Sequence, residues 1–172
     1  MGKGLLARKD VDERYTWDLS SIFKREEEFE TKLEELIQLA DEVEKEFKGK
    51  LNDSISINNC LDKLRLIYEL GGLLGSYSYL SLAGDQTNTE AQTRQMRISN
   101  MISEITSRLS FIESEILQLD KEIIQKAMNE SEDNSLFLKE ILEKKPYALH
   151  PEVEKTLSAL SNVLDAPYQI YN

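Results

Sequence analysis

The chain has 172 residues, 40% of them hydrophobic and 31% charged, which sets it among globular sequences with material for a sizeable core. Its 21 basic and 32 acidic residues leave a net charge of −11, a field that repels phosphates and anionic lipid heads and argues against nucleic-acid and membrane-surface partners. A single cysteine, Cys60, excludes an internal disulfide, and the most apolar stretch, 70–83, is broken by Ser76, Ser78 and Ser81 and is too short to span a bilayer.

Seven glycines and three prolines are few for this length, so long regular elements joined by few turns are expected. Residues 1–14 are charged and aperiodic and read as a flexible N-terminal tail. Leu5, Leu6 and Ala7 make too short an apolar run for a secretory signal, so the cytoplasm is the expected address. Tyr15, Trp17 and Leu19 begin the structured part, with Asp18 or Ser20 placed to cap a short turn through Ile22 and Phe23.

A first long helix is expected over 26–47. Phe29, Leu33, Leu36, Ile37, Ala40, Val43 and Phe47 fall on one helical stripe. Acids precede bases by four residues on the other face, at Glu28–Lys32, Asp41–Lys45 and Glu44–Lys48. Gly49 is the stop. A second helix over 56–83 is apolar nearly all round, as befits the middle of a bundle. Gly71, Gly72 and Gly75 each weaken it by up to about 1 kcal/mol relative to alanine. Close approach of a neighbouring helix would offset that; a hinge is the alternative.

Thr87 and Glu90 have capping-box spacing ahead of a third helix whose stripe is Ile98, Met101, Ile102, Ile105, Leu109, Ile112 and Ile116. A separate helix over 121–128 follows a break near Asp120, then a polar loop over 131–134 and a short helix over 136–143 stopped at Pro146. Pro151 opens a further helix with Val153, Leu157, Leu160 and Leu164 on its inner face. Asp165, Ala166 and Pro167 begin one more, of which 165–172 is only the start, so the chain reads as the front portion of a longer protein. The expected fold is all-α: a helical domain over 15–164 made of long antiparallel helices around a nearly all-buried central one.

The search for chemistry finds no complete site. A peptidase zinc site needs two histidines one helical turn apart with a glutamate between them, and the chain has one histidine, His150, which reads as a loop or cap residue. Gly71, Gly72 and Gly75 sit inside a helical pattern with no preceding strand, so they are not a phosphate cradle. Cys60 lies among apolar residues at helical spacing and reads as a small core residue. Tyr68, Tyr77 and Tyr79 could line a peptide groove, although tyrosines in a buried helix are more often core; Tyr77 and Tyr79 are the substrate-facing candidates. No catalytic or metal-binding residue is assigned.

Several strings, in order, resemble the N-terminal region of oligoendopeptidase F, of the thimet-oligopeptidase-like zinc metallopeptidases. They are Tyr15-Thr16-Trp17-Asp18-Leu19 with Ile22-Phe23, Phe47-Lys48-Gly49-Lys50-Leu51, Tyr77-Ser78-Tyr79-Leu80-Ser81-Leu82, Asp85-Gln86-Thr87-Asn88, Leu109-Ser110-Phe111-Ile112-Glu113, and Pro146-Tyr147-Ala148-Leu149. Relatives often carry His near Tyr147 and Ser near His150, so no role is carried over to either position. The resemblance implies a parent enzyme of the cytoplasm that uses zinc to cut short peptides in a channel between two largely helical halves. Its zinc motif lies far downstream, in a C-terminal catalytic domain that would be this segment's partner. No position here matches that motif. The segment would then supply part of the channel wall that restricts substrate size. The competing reading is a self-contained acidic helical interaction or dimerisation module with no enzymatic activity.

Overall fold

A computed structural model describes residues 11–15 and 17–147, and the statements below concern those residues. The expectations for 148–172, including the helix opened by Pro151, the start of another at 165–172 and any role of His150, lie outside them, as does most of the 1–14 tail.

After a 3-10 turn over Leu19–Ser21, six helices follow: α1 Glu26–Phe47, α2 Ser54–Gly84, α3 Thr89–Leu109, α4 Phe111–Gln118, α5 Lys121–Glu130 and α6 Glu132–Lys144. There is no strand among the described residues, so the all-α expectation holds. Asp18 caps the first turn by accepting from the Ser20 N–H at 3.0 Å. Helix α1 has the bounds read from its stripe, with Phe29, Leu33, Leu36, Ala40, Val43 and Phe47 buried. Gly49 follows it at φ +75°, a left-handed conformation that costs glycine little. Of the three acid–base pairs expected on its outer face, Glu44–Lys48 forms at 2.7 Å. Lys32 instead meets Glu35, and Asp41 is drawn away to Arg108 on α3.

Helix starts depart from expectation where capping chemistry differs. Helix α2 begins two residues earlier than read, because Asp53 accepts from the Ser56 N–H at 2.7 Å while the Ser56 hydroxyl accepts from the Asp53 N–H at 3.2 Å. The Thr87–Glu90 box does not form. Thr87 is already held by Asp85, to which its Oγ1 donates at 2.7 Å, and Asn88 caps α3 by accepting from the Glu90 and Ala91 N–H groups. The polar stretch 131–134 is not a loop: Ser131 caps α6, which starts at Glu132. The third stripe is divided at Ser110, whose hydroxyl donates to the Ser107 carbonyl at 2.8 Å and interrupts the ladder. Leu109, Ile112 and Ile116 stay buried on both sides of that break.

Polar contacts fix the relative directions of the helices. Arg94 pairs with Glu26 at 2.7 Å, Arg97 with Glu30 at 2.5 Å and Arg108 with Asp41 at 2.5 Å. These partners are 68, 67 and 67 residues apart, a constant offset that makes α1 and α3 parallel and in register. Helix α2 runs against both. Near its first half Lys63 reaches Glu46 at the end of α1, and near its second half Tyr77 meets Phe29 at the start of α1. The α5–α6 hairpin packs on the first half of α2. There Asn58 donates to the Ala127 carbonyl at 3.0 Å, and buried Asn134 donates to Asn58 Oδ1 and Asp62 Oδ1, both at 3.1 Å.

The expectation of a nearly all-buried central helix needs correction. Ile57, Cys60, Leu61, Leu64 and Ile67 are buried, but Leu66 is 49% exposed, Tyr68 62%, Leu73 39% and Tyr79 62%. The cause is geometric: at about 100° per residue Leu66 and Leu73 share one side of α2 while Tyr68 and Tyr79 share roughly the opposite one, and the neighbouring helices leave both partly open. The glycines divide too. A methyl at Gly75 would sit 3.7 Å from Ile102 Cδ1 of α3, so a neighbour does approach there. At Gly71 and Gly72 a methyl would meet nothing within 4 Å, which overturns the close-approach explanation for those two among the described residues.

Candidate functional site

The bare backbone at Gly71 and Gly72 forms part of the wall of an open groove of about 1030 Å³ between α2, α3, α4 and α6. Its floor is apolar, built from Ile67 of α2 and Ile102, Ile105 and Leu109 of α3, with Leu117 and Phe137 opposite. These side chains are there because the stripes of α2 and α3 are wider than the contact between the two helices, so each stripe's outer edge faces the groove. Acids dominate the rim, with Glu113, Glu140 and Glu143 against Lys144. Lys144 donates to Glu113 at 2.8 Å, and that partner pushes its ammonium above the ordinary lysine range. Lys145 donates to the Leu117 carbonyl and pins the end of α6 to α4. Tyr147, 83% exposed, stands at the edge.

Such a surface can take up apolar side chains by burial. The serines on it, Ser110 and Ser114, have no imidazole beside them among the described residues, and the Ser110 hydroxyl is spent on the Ser107 carbonyl. Cys60 is fully buried away from the groove, and burial pushes its thiol up to about 12, far from the thiolate that nucleophilic chemistry needs. Its reading as a core residue is therefore sound. Among the described residues no three His, Cys, Asp or Glu side chains come together in a way that could hold a metal ion.

The tyrosines singled out in the sequence go to three different places. Tyr68 lines the groove. Tyr77 is half-buried at the end of the core, its ring 5.1 Å from that of Phe23 and 5.6 Å from that of Phe29, with the Arg94 guanidinium 5.4 Å from its centroid. Tyr79 is exposed and lies off the groove. The rim residues Glu140 and Glu143 carry no signal in the sequence, and Tyr147 enters there only within a family-like string to which no role is attached. The adjacent glycines do carry a signal, because two unexplained weak points in one helix mark a place where its side chains are missing.

Residues 115–172 match the Oligopeptidase F family. Group B oligopeptidase PepB of Streptococcus agalactiae is 31% identical over 165 residues, which cover 92% of this chain and 27% of that protein. The plasmid-encoded oligoendopeptidase F of Lactococcus lactis subsp. cremoris is 27% identical over 170 residues, or 95% of this chain and 28% of that protein. Among solved structures, oligoendopeptidase-F from Enterococcus faecium superposes with a TM-score of 0.63 at 25% identity, covering 83% of this chain and 29% of that one. A Chlamydophila abortus crystal structure superposes at 0.77 over 93% of this chain and 28% of that one; at 16% identity it speaks for the fold alone. The fold and these matches define an all-helical segment corresponding to the N-terminal part of longer proteins. Over nearly its whole length the chain matches the N-terminal part of proteins of the oligoendopeptidase F type, and it spans about a quarter of the length of the curated relatives it matches.

Proposed function

We propose that this chain is the N-terminal helical domain of a zinc-dependent oligoendopeptidase that hydrolyses short peptides in the cytoplasm. In this reading it forms part of the channel wall that restricts substrate size, carries no catalytic residue, and works against a C-terminal zinc-binding domain of the same parent chain. The observation that carries the proposal is the 31% identity to oligopeptidase PepB over nearly the whole of this chain and only 27% of that protein. The remaining length of such a relative is room for the catalytic machinery. A wall must be stiff, and the bundle supplies that: packed helices resist deformation, and three arginines of α3 clamp α1 along its length.

Zinc belongs to the parent in this proposal. The residues present do not fit it, since the chain has one histidine and the described residues hold no metal-ligand cluster, so no chemical step is assigned to this segment. The competing reading, a self-contained acidic interaction module, is not favoured, because the relatives align with this chain as a part of much longer proteins. The experiment is direct. The 172-residue chain is purified, dialysed against buffer free of metal, assayed for bound zinc by mass spectrometry and incubated with fluorogenic peptides. No retained zinc and no cleavage are expected; tight zinc retention or hydrolysis by this chain alone would overturn the proposal.

A further inference from the structure

The groove has an occupant within reach. The described chain stops at Tyr147, on the groove's own rim, and residues 148–172 follow. Three residues separate Tyr147 from Pro151, so four extended steps, about 14 Å, bound how far position 151 can lie from the rim. From Pro151 the pattern is that of an amphipathic helix with Val153, Leu157, Leu160 and Leu164 at steps of 4, 3 and 4 on one face. An apolar stripe tethered this close must be buried somewhere, and the apolar surface beside its tether is the Ile67, Ile102, Ile105 and Leu109 floor. We propose that residues 151–164 dock as a helix in the groove between α2, α3, α4 and α6, with Leu157 and Leu160 over that floor.

The bare wall suits this occupant. With no side chain at Gly71 or Gly72 and nothing within 4 Å of where one would stand, a helix axis can come close to α2 there. That supplies the compensating contact that two glycines in mid-helix call for and that the described residues do not provide. A short tether also gives the segment an effective concentration of about the millimolar order, so it outcompetes a second copy of the chain or a free peptide at ordinary concentrations. The inference does not depend on the peptidase reading. It makes this groove part of the bundle's interior.

The test uses the full 172-residue chain. A photo-reactive residue is installed as Tyr68→p-benzoylphenylalanine on the groove wall, with Tyr79→p-benzoylphenylalanine, off the groove, as the reference. After irradiation and digestion, the adducts are mapped by mass spectrometry. At least tenfold more intramolecular adducts to 151–164 are expected from position 68 than from position 79. Equal yields, or adducts from position 68 that fall mainly on a second copy or on an added oligopeptide, overturn the inference. A second measurement covers any loss of folding. Leu157→Asp with Leu160→Asp should keep the helical circular dichroism of the parent chain and raise the fluorescence of a bound hydrophobic dye severalfold. Unchanged dye fluorescence with retained helicity also overturns it.

Discussion

Gly75 is the point where the contact between α2 and α3 can be measured by adding atoms to it. Adding one methyl, Gly75→Ala, places a Cβ 3.7 Å from Ile102 Cδ1, an ordinary van der Waals contact that requires no movement. The substitution also removes glycine's helix penalty of about 0.8–1.0 kcal/mol. Gly75→Ala should therefore stabilise the chain by about 1 kcal/mol, a rise in Tm of about 2–4 °C for a domain of this size. Gly75→Leu regains nearly the same propensity but drives three further carbons toward Ile102, and overpacking of that kind costs about 1–3 kcal/mol. Because the glycine penalty cancels between the two variants, their difference isolates the packing cost. The leucine variant should lie about 1–3 kcal/mol below the alanine variant in urea unfolding followed by circular dichroism. Equal stability of the two would show that α3 does not approach α2 at this position. A destabilising alanine would show that it approaches more closely than 3.7 Å.

Further predictions rest on other parts of the bundle. Asn134→Ala removes the buried amide that joins α6 to Asn58 and Asp62 and should cost about 1–3 kcal/mol in the same unfolding assay; a loss below 0.5 kcal/mol would contradict the hydrogen-bond assignment. Arg108→Met should cost about 1 kcal/mol or less at low salt, with the loss shrinking in 1 M salt, because Arg108 bridges Asp41 and Glu44 on a partly exposed face. A salt-independent loss would point to packing of the arginine stem instead. Native Cys60 should react with a thiol reagent at pH 8 far more slowly than in urea, since its side chain is fully buried and burial also pushes its thiol up to about 12. A native rate matching the unfolded one would contradict its burial. Glu28, Glu44 and Asp53 are held below their ordinary ranges, first of all by the Lys24 N–H, by the Lys48 ammonium and by the Ser56 N–H respectively. Their folded values lie under the unfolded ones of 4.5 and 3.8, so their contribution is complete above about pH 5 and is lost as pH falls through the folded values. Thermal stability should decline below pH 4.5, more weakly at high salt; a rise there would reverse the sign of the argument.

What was legible in the sequence was whatever depends on a residue and its near neighbours along the chain. Helix α1 is legible at both ends because its apolar stripe is narrow and a glycine, Gly49, follows it. Cap positions were harder. Asp53 and Ser56 form a box in which serine takes the place usually held by glutamate, and Thr87 was drawn off by Asp85, leaving Asn88 as the cap. The exposure of Leu66, Tyr68 and Leu73 was not legible at all. A helix apolar on every side carries no periodicity to say which side its neighbours leave open. The groove is a tertiary feature of the same kind. Gly71 and Gly72 hinted at it, yet a missing side chain reads the same whether a neighbour fills the space or none does.

The central claim is the proposal that this chain is the N-terminal domain of a longer peptidase. The most direct measurement is kcat/KM on a series of peptides from about five to thirty residues, for that whole protein and for a version lacking residues 1–172 supplemented with the purified 172-residue chain or left without it. The account predicts that activity falls steeply with peptide length when the segment is present, and that its absence either abolishes cleavage or flattens the length dependence. Identical length profiles with and without the segment would contradict it.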